Sequence, residues 1–295
     1  LERDVARPMI LVLPREERGR VYIEAPDLWA VRCFTAELPA PIEAGSVTAL
    51  TLFRDDPALL SSAPGPAEIE WARLLERAAD PASLDLRDGF GAFGSAIERG
   101  DLAAARAIAN QTLDIARHQF AAMGGPSEVR NEASRNLSIA LDNVGDIERD
   151  LGNLQVAGAV YRESLDLRCR LHEVVGDTPQ ALRALAVSLN NVGDIERDLG
   201  NLEAARTVYR ESLDLRRRLR EAVGDTPQAL RDLSLSLERV GDIERDLGNL
   251  EAARAPWRES LDIARRLSGA FPDNPRHQRD LAWIEAQMQA IDEPS

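Results

Sequence analysis

The chain has 295 residues, 44% hydrophobic but only 4% aromatic, and a formal charge of −14; this is enough apolar material for a sizeable core in one large or two modest domains. That charge argues against long-range capture of nucleic acid or of an anionic membrane, because the field repels phosphate. All 36 cationic side chains are arginine, so chemistry that needs a phosphate-loop lysine or a lysine Schiff base is excluded.

Residues 1–66 are proline-rich and carry the short apolar or alternating runs "MILVLP", "RVYIEA", "WAVRCFTAEL" and "VTALTLF". They predict three or four strands in a small β-rich segment that packs on the remainder or belongs to a larger domain, since so few strands make a marginal core. No run is long enough for a signal-peptide core or a membrane span. Cys33 and Cys169 are far apart in sequence, so no disulfide framework is expected and a reducing cytoplasm is the expected compartment. A start at Leu1 is expected of a processed piece or a fragment of something larger. Residues 67–84 predict a bridging helix, Ala67 to Ala79 with Trp71 and Leu75, and a linker.

Residues 85–292 are organised by self-similarity. The string "VGDIERDLGNL" stands at 144–154, 192–202 and 240–250, a period of 48. Within one unit Leu185, Leu189, Val192 and Leu199 recur at helical spacing, as do Leu202, Ala205, Tyr209 and Leu213 after Gly200-Asn201, which predicts two amphipathic helices joined by a tight turn. "GDTPQ" opens the next unit, with Thr226 as cap and Pro227 in the first turn; Thr178-Pro179 and Asn274-Pro275 repeat that punctuation.

Leu189, Val192 and Gly193 followed by Ala205 and Tyr209 resemble the tetratricopeptide repeat. The match recurs at Leu141, Val144, Gly145, Ala157 and Tyr161, and at Leu237, Val240, Gly241, Ala253 and Trp257. The resemblance covers about four repeats, the first degenerate, plus a capping helix with Gln289 where glycine is due. It implies a mainly α fold, a right-handed α-solenoid of helix-turn-helix repeats. Two features depart from the pattern: the period exceeds the usual ~34, and Glu148, Glu196 and Glu244 occupy the tyrosine slot. The extra length, about seven residues per helix or on the order of 10 Å, looks like the long-helix variant of kinesin light chains and of bacterial signalling or defence arrays.

Candidate chemistry in these repeats has a simpler structural reading. Asp146, Glu148 and Asp150 superficially suggest a calcium loop, but Leu151 and Ala157 stand where it needs glycine and a bidentate glutamate. "GFGAFG" at 89–94 lacks a preceding strand and reads as helix with Phe90 and Phe93 in the core. Cys169 and His172 make at most half a metal site. No catalytic residue, metal or cofactor is expected. "RRRLR" at 216–220 is expected on a solvated outer face, paired with acids one turn away. Each glutamate of the tyrosine slot faces the packing side and is expected to pair with an arginine such as Arg210, fixing the register of the two helices. Pro256, inside the second helix of the last full unit, is expected to kink or loosen that turn.

The polar face of each first helix is the candidate partner site. It comprises Asp142, Asn143, Asp146, Arg149 and Asp150 in one copy, then Asn190, Asn191, Asp194, Arg197 and Asp198, then Glu238, Arg239, Asp242, Arg245 and Asp246. The resemblance implies that first helices line a concave groove. Amides there suit the backbone of an extended peptide and carboxylates its basic residues. The expected function is a protein-interaction scaffold for a peptide or partner domain, with self-association left open. The competing reading is a regulatory or sensor arm of a larger bacterial enzyme, such as a caspase-like peptidase or a signalling NTPase.

Overall fold

A computed structural model describes residues 63–124 and 128–292; the strands expected before residue 63 lie outside them. Ala63–Ile97 and the described residues from Asp101 onward belong to one compact unit. Among the described residues the regular structure is helical: α1 Pro66–Arg77, a 3-10 turn Pro81–Ser83, α2 Leu86–Glu98, α3 Leu102–Ala122, α4 Glu128–Asp150, α5 Leu154–Val175, α6 Pro179–Asp198, α7 Leu202–Val223, α8 Pro227–Asp246, α9 Leu250–Ala270 and α10 Pro275–Asp292. From α3 onward each helix packs on the next in chain order. The result is an α-solenoid of the helical hairpins α4–α5, α6–α7 and α8–α9, followed by α10.

The helix expected over Ala67 to Ala79 runs from Pro66 to Arg77, and Trp71 is buried in one cluster with Leu86 and Phe93 of α2. "GFGAFG" is helical within α2. Thr178 and Thr226 accept from Ala181 N and Ala229 N at the starts of α6 and α8, with Pro179 and Pro227 beside them. Helix α9 runs unbroken through Pro256. The missing hydrogen bond is offset by burial of Ala253, Trp257 and Leu261 in one apolar cluster with Ile284 of α10.

The repeated string accounts for the hairpin almost residue by residue. Val192 and Ile195 are core. A Cβ on Gly193 would lie 2.5 Å from Tyr209 Cε1, so only glycine lets the ring close on the first helix. Tyr209 Oη then donates to Asp194 Oδ1 at 2.6 Å. Gly200 takes φ +82°, and the helix ends in paired bonds, Gly200 N to Arg197 O and Asn201 N to Glu196 O, that satisfy carbonyls otherwise left open at a C-terminus. The copies at Gly145 and Gly241 close on Tyr161 and Trp257 in the same way.

Glu148, Glu196 and Glu244 are buried and do pair with arginine, but not within their own hairpin. Arg162 of α5 bonds Glu196 of α6, Arg210 of α7 bonds Glu244 of α8, and Arg106 of α3 bonds Glu148 of α4 at 2.7 Å. Arg210 therefore belongs to the next repeat's glutamate, because a second helix packs against the following first helix as well as its own. The glutamate's other oxygen accepts from the turn asparagine, as in Asn201 Nδ2 to Glu196 at 2.8 Å. Burial pushes Glu196 up, yet Arg162 and Asn201 outweigh it and hold the carboxyl below its ordinary value. These pairs set the register between repeats rather than within one.

"RRRLR" also departs from the expectation. Arg216 is buried and bonds Asp232 of the next repeat at 2.8 Å. Arg217 reaches Glu259 at 3.0 Å, Arg218 reaches Asp177, and Arg220 reaches Asp225 at 2.6 Å. Arg217 and Arg218 are exposed as expected, but Arg216 and Arg217 reach acids of the following hairpin, and Arg218 and Arg220 reach acids of the loops before α6 and after α7.

Candidate functional site

Residues at i, i+3, i+4 and i+7 share one face of a helix, and on α8 Leu235, Glu238, Arg239 and Asp242 are such a set. They line a hollow of ≈ 270 Å³ together with Arg149 of α4, Asp194, Arg197 and Asp198 of α6, and Trp283 of α10. Four successive first helices contribute its walls. No second helix contributes to it.

Seven of the residues expected from sequence meet there: Arg149, Asp194, Arg197, Asp198, Glu238, Arg239 and Asp242. They are joined across repeats. Arg149 Nε bonds Asp198 at 2.7 Å and its Nη1 lies 3.5 Å from Asp194; Arg239 comes from the other side to Asp194 at 3.3 Å. Arg197 bonds Asp246 at 2.6 Å, and Arg245 donates to Gln287 of α10 at 2.7 Å while its guanidinium lies over Trp257. The arginine of each copied string thus reaches the next first helix, so part of the polar ladder holds the face together.

The other expected residues lie on the same helices outside the hollow. Asp142 is bonded by Arg168 at 2.6 Å, and burial nevertheless raises its carboxyl above the ordinary range. Asp146 accepts from Tyr161 and Asp150 is exposed. Asn143 and Asn191 are half-buried. Asn190 is buried with no donor to its Oδ1.

Glu238 differs from its counterparts. Asp142, Asn190 and Glu238 occupy one position 48 residues apart, as do Arg168, Arg216 and Ala264. The arginine that bonds Asp142 in the first of these units is absent in the third, and Glu238 takes hydroxyl donors instead, Ser260 at 2.8 Å and Ser234 at 3.3 Å. Burial raises it to about 7, against the Ser260 and Ser234 bonds, with Asp280 and Asp242 adding to the rise. No ion pair to Glu238 occurs among the described residues. Burial raises Asp242 as well.

Sequence reasoning overlooked Leu235 and Trp283. Both were detectable as apolar residues on an otherwise polar helix face, one repeat length apart. The hollow combines carboxylates, guanidinium groups and an exposed indole, which suits binding an extended chain by ion pairs and apolar contact. No helix among the described residues is long and apolar enough to cross a membrane.

The fold and this face define a helical-repeat protein whose first helices carry a polar face. Residues 185–222 and 234–277 match the model of the tetratricopeptide repeat, and these segments are repeats of that family. No curated protein matches the sequence. Among solved structures the chain is similar to the apo form of RapI, at 15% identity and TM-score 0.52 over 75% of each chain. It is also similar to BtubC from P. vanneervenii, at 13% identity and TM-score 0.48 over 78% of this chain and 90% of that one. The likeness to RapI concerns the fold alone.

Proposed function

We propose that the solenoid is a protein-interaction module that binds an extended peptide or a segment of a partner protein along its first-helix face. The observation that carries this reading is the hollow walled by four successive first helices, with an exposed tryptophan at one end and carboxylates at its centre. Tetratricopeptide repeats generally mediate protein–protein interaction, and a hollow spanning several repeats favours an occupant that runs across the helices. Carboxylates outnumber guanidinium groups among its lining residues, so the partner segment carries basic side chains. The array contributes recognition, and any chemistry belongs to what it recruits.

Affinity capture by the full chain, compared with Asn191→Ala and Trp283→Ala variants, tests the reading. Neither side chain bonds a neighbouring repeat, so circular dichroism should be unchanged while the captured partner is lost. A partner retained by both variants and released by substitutions on the second helices would place the interaction elsewhere.

A further inference from the structure

A column of apolar side chains runs along the first-helix face at the repeat period. Ile139, Val187, Leu235 and Trp283 stand 48 residues apart on α4, α6, α8 and α10. Ile139, Val187 and Trp283 are exposed, at 38%, 38% and 39%, and Leu235 is half-buried in the wall of the hollow. Each sits three residues before the Asp142, Asn190 and Glu238 position, so the column lies on the face that carries the polar ladder. Isolated exposed apolar residues are ordinary on a protein surface. Four stand in register, each on a separate helix, and two of them line one hollow.

We propose that this column docks an extended segment of a partner protein whose apolar side chains recur at every third residue, with an arginine placed to reach Glu238. The proposal rests on the reading of this face as the interaction surface and specifies its occupant. The spacing follows from an interval of about 10 Å between successive first helices, the upper end for neighbouring helices, which here are bridged by ion pairs, Arg149 to Asp198 and Arg197 to Asp246. An extended or polyproline chain rises roughly 3.1–3.4 Å per residue, so three residues span one repeat. The basic residue follows from the comparison between repeats: the guanidinium of Arg168 meets Asp142, but Ala264 leaves Glu238 without its arginine, facing the hollow beside Leu235 and Trp283.

A phage-displayed library of random dodecapeptides, selected on the immobilised full chain, tests this. Enriched sequences are resynthesised and titrated by fluorescence anisotropy. The expected sequences place apolar residues three apart with one arginine. They should lose about tenfold or more in affinity on Val187→Asp and on Trp283→Ala, as central anchors do, and about tenfold on Glu238→Gln, with circular dichroism unchanged. Peptides enriched without that spacing, weakened by Asn191→Ala but not by Val187→Asp, would overturn the register and leave the interaction face standing. Enrichment of amphipathic helical patterns would overturn the extended occupant. No enrichment, or binding indifferent to all four substitutions, would overturn both the register and the interaction face.

Discussion

Cutting the ion pair between Arg162 and Glu196 should destabilise the array by loosening one repeat from the next. The Glu196 side chain is 11% exposed and that of Arg162 is 52% exposed. A pair exposed on both sides contributes about 0.2–1 kcal/mol, and breaking a fully buried one costs about 3–5 kcal/mol. With one partner half in water, Arg162→Ala should cost about 1–2 kcal/mol, since solvent enters where the guanidinium stood. Glu196→Gln should cost a similar amount, because the amide oxygen still accepts from Asn201. For a protein of this size that lowers Tm by about 2–4 °C per kcal/mol. The decisive measurement is a double-mutant cycle by chemical denaturation. Arg162→Ala with Glu196→Gln should show a coupling of about 1 kcal/mol, while Arg210→Ala with Glu196→Gln should be additive within about 0.5 kcal/mol. Coupling between 210 and 196, or none between 162 and 196, would refute the inter-repeat assignment.

Gly193→Ala should destabilise by about 1–3 kcal/mol through its clash with the Tyr209 ring, whereas Gly91→Ala, whose Cβ would meet nothing within 4 Å, should stabilise by about 0.5–1 kcal/mol; urea midpoints will separate the two. Tyr209→Phe should cost about 1 kcal/mol by leaving Asp194 without its hydroxyl donor, and calorimetry reads it directly. Glu238 predicts a specific pH dependence. Its folded pKa, about 7, is raised above its ordinary 4.5, so the folded state holds the proton longer than the unfolded chain does. Its contribution is complete below about pH 4.5 and is lost as pH rises through 7. The groups around it are Ser260 from α9, Ser234 and Asp242 from α8, and Asp280 from α10. The difference in stability between wild type and Glu238→Gln should change across that window by no more than about 3 kcal/mol, and a flat difference would refute it.

How much was legible in the sequence depended on the range of the interaction. The caps at Thr178 and Thr226, the turn at Gly200 and the closeness of Gly193 to Tyr209 are set within one hairpin, and a single 48-residue copy carries them. The partner of Glu196 was not legible, because Arg162 and Arg210 occupy the same position in successive copies and sequence alone cannot say which lies across the interface. "RRRLR" misled for the same reason: Arg216 is drawn inward by Asp232, a residue whose counterpart one repeat earlier is Ala184. The polar half of the candidate site was legible as a helical face, and its apolar half was overlooked because each member looks incidental until all four are aligned.

That alignment separates scaffold from recognition. Gly, Asp, Ile, Glu, Arg and Asp from 145 to 150 are identical in all three copies, and they serve the array: ring closure, a tyrosine hydroxyl in the first two copies, core, a clamp to the preceding repeat and a bridge to the following one. A change at the glutamate or the arginine loosens one unit from its neighbour in a chain of nearest-neighbour units. The positions that differ between copies on the same face are Ile139, Val187 and Leu235, then Asp142, Asn190 and Glu238, then Asn143, Asn191 and Arg239. Several of these meet solvent or the hollow and are bound by fewer packing demands. On the proposed reading of this face, a partner meets the variable positions, while the identical ones hold them in register. Exchanging Ile139 and Asp142 for Leu and Glu, the residues of the third copy, should move binding preference while leaving Tm within about 2 °C; an altered preference after Asp150→Asn with the varied positions intact would contradict this division.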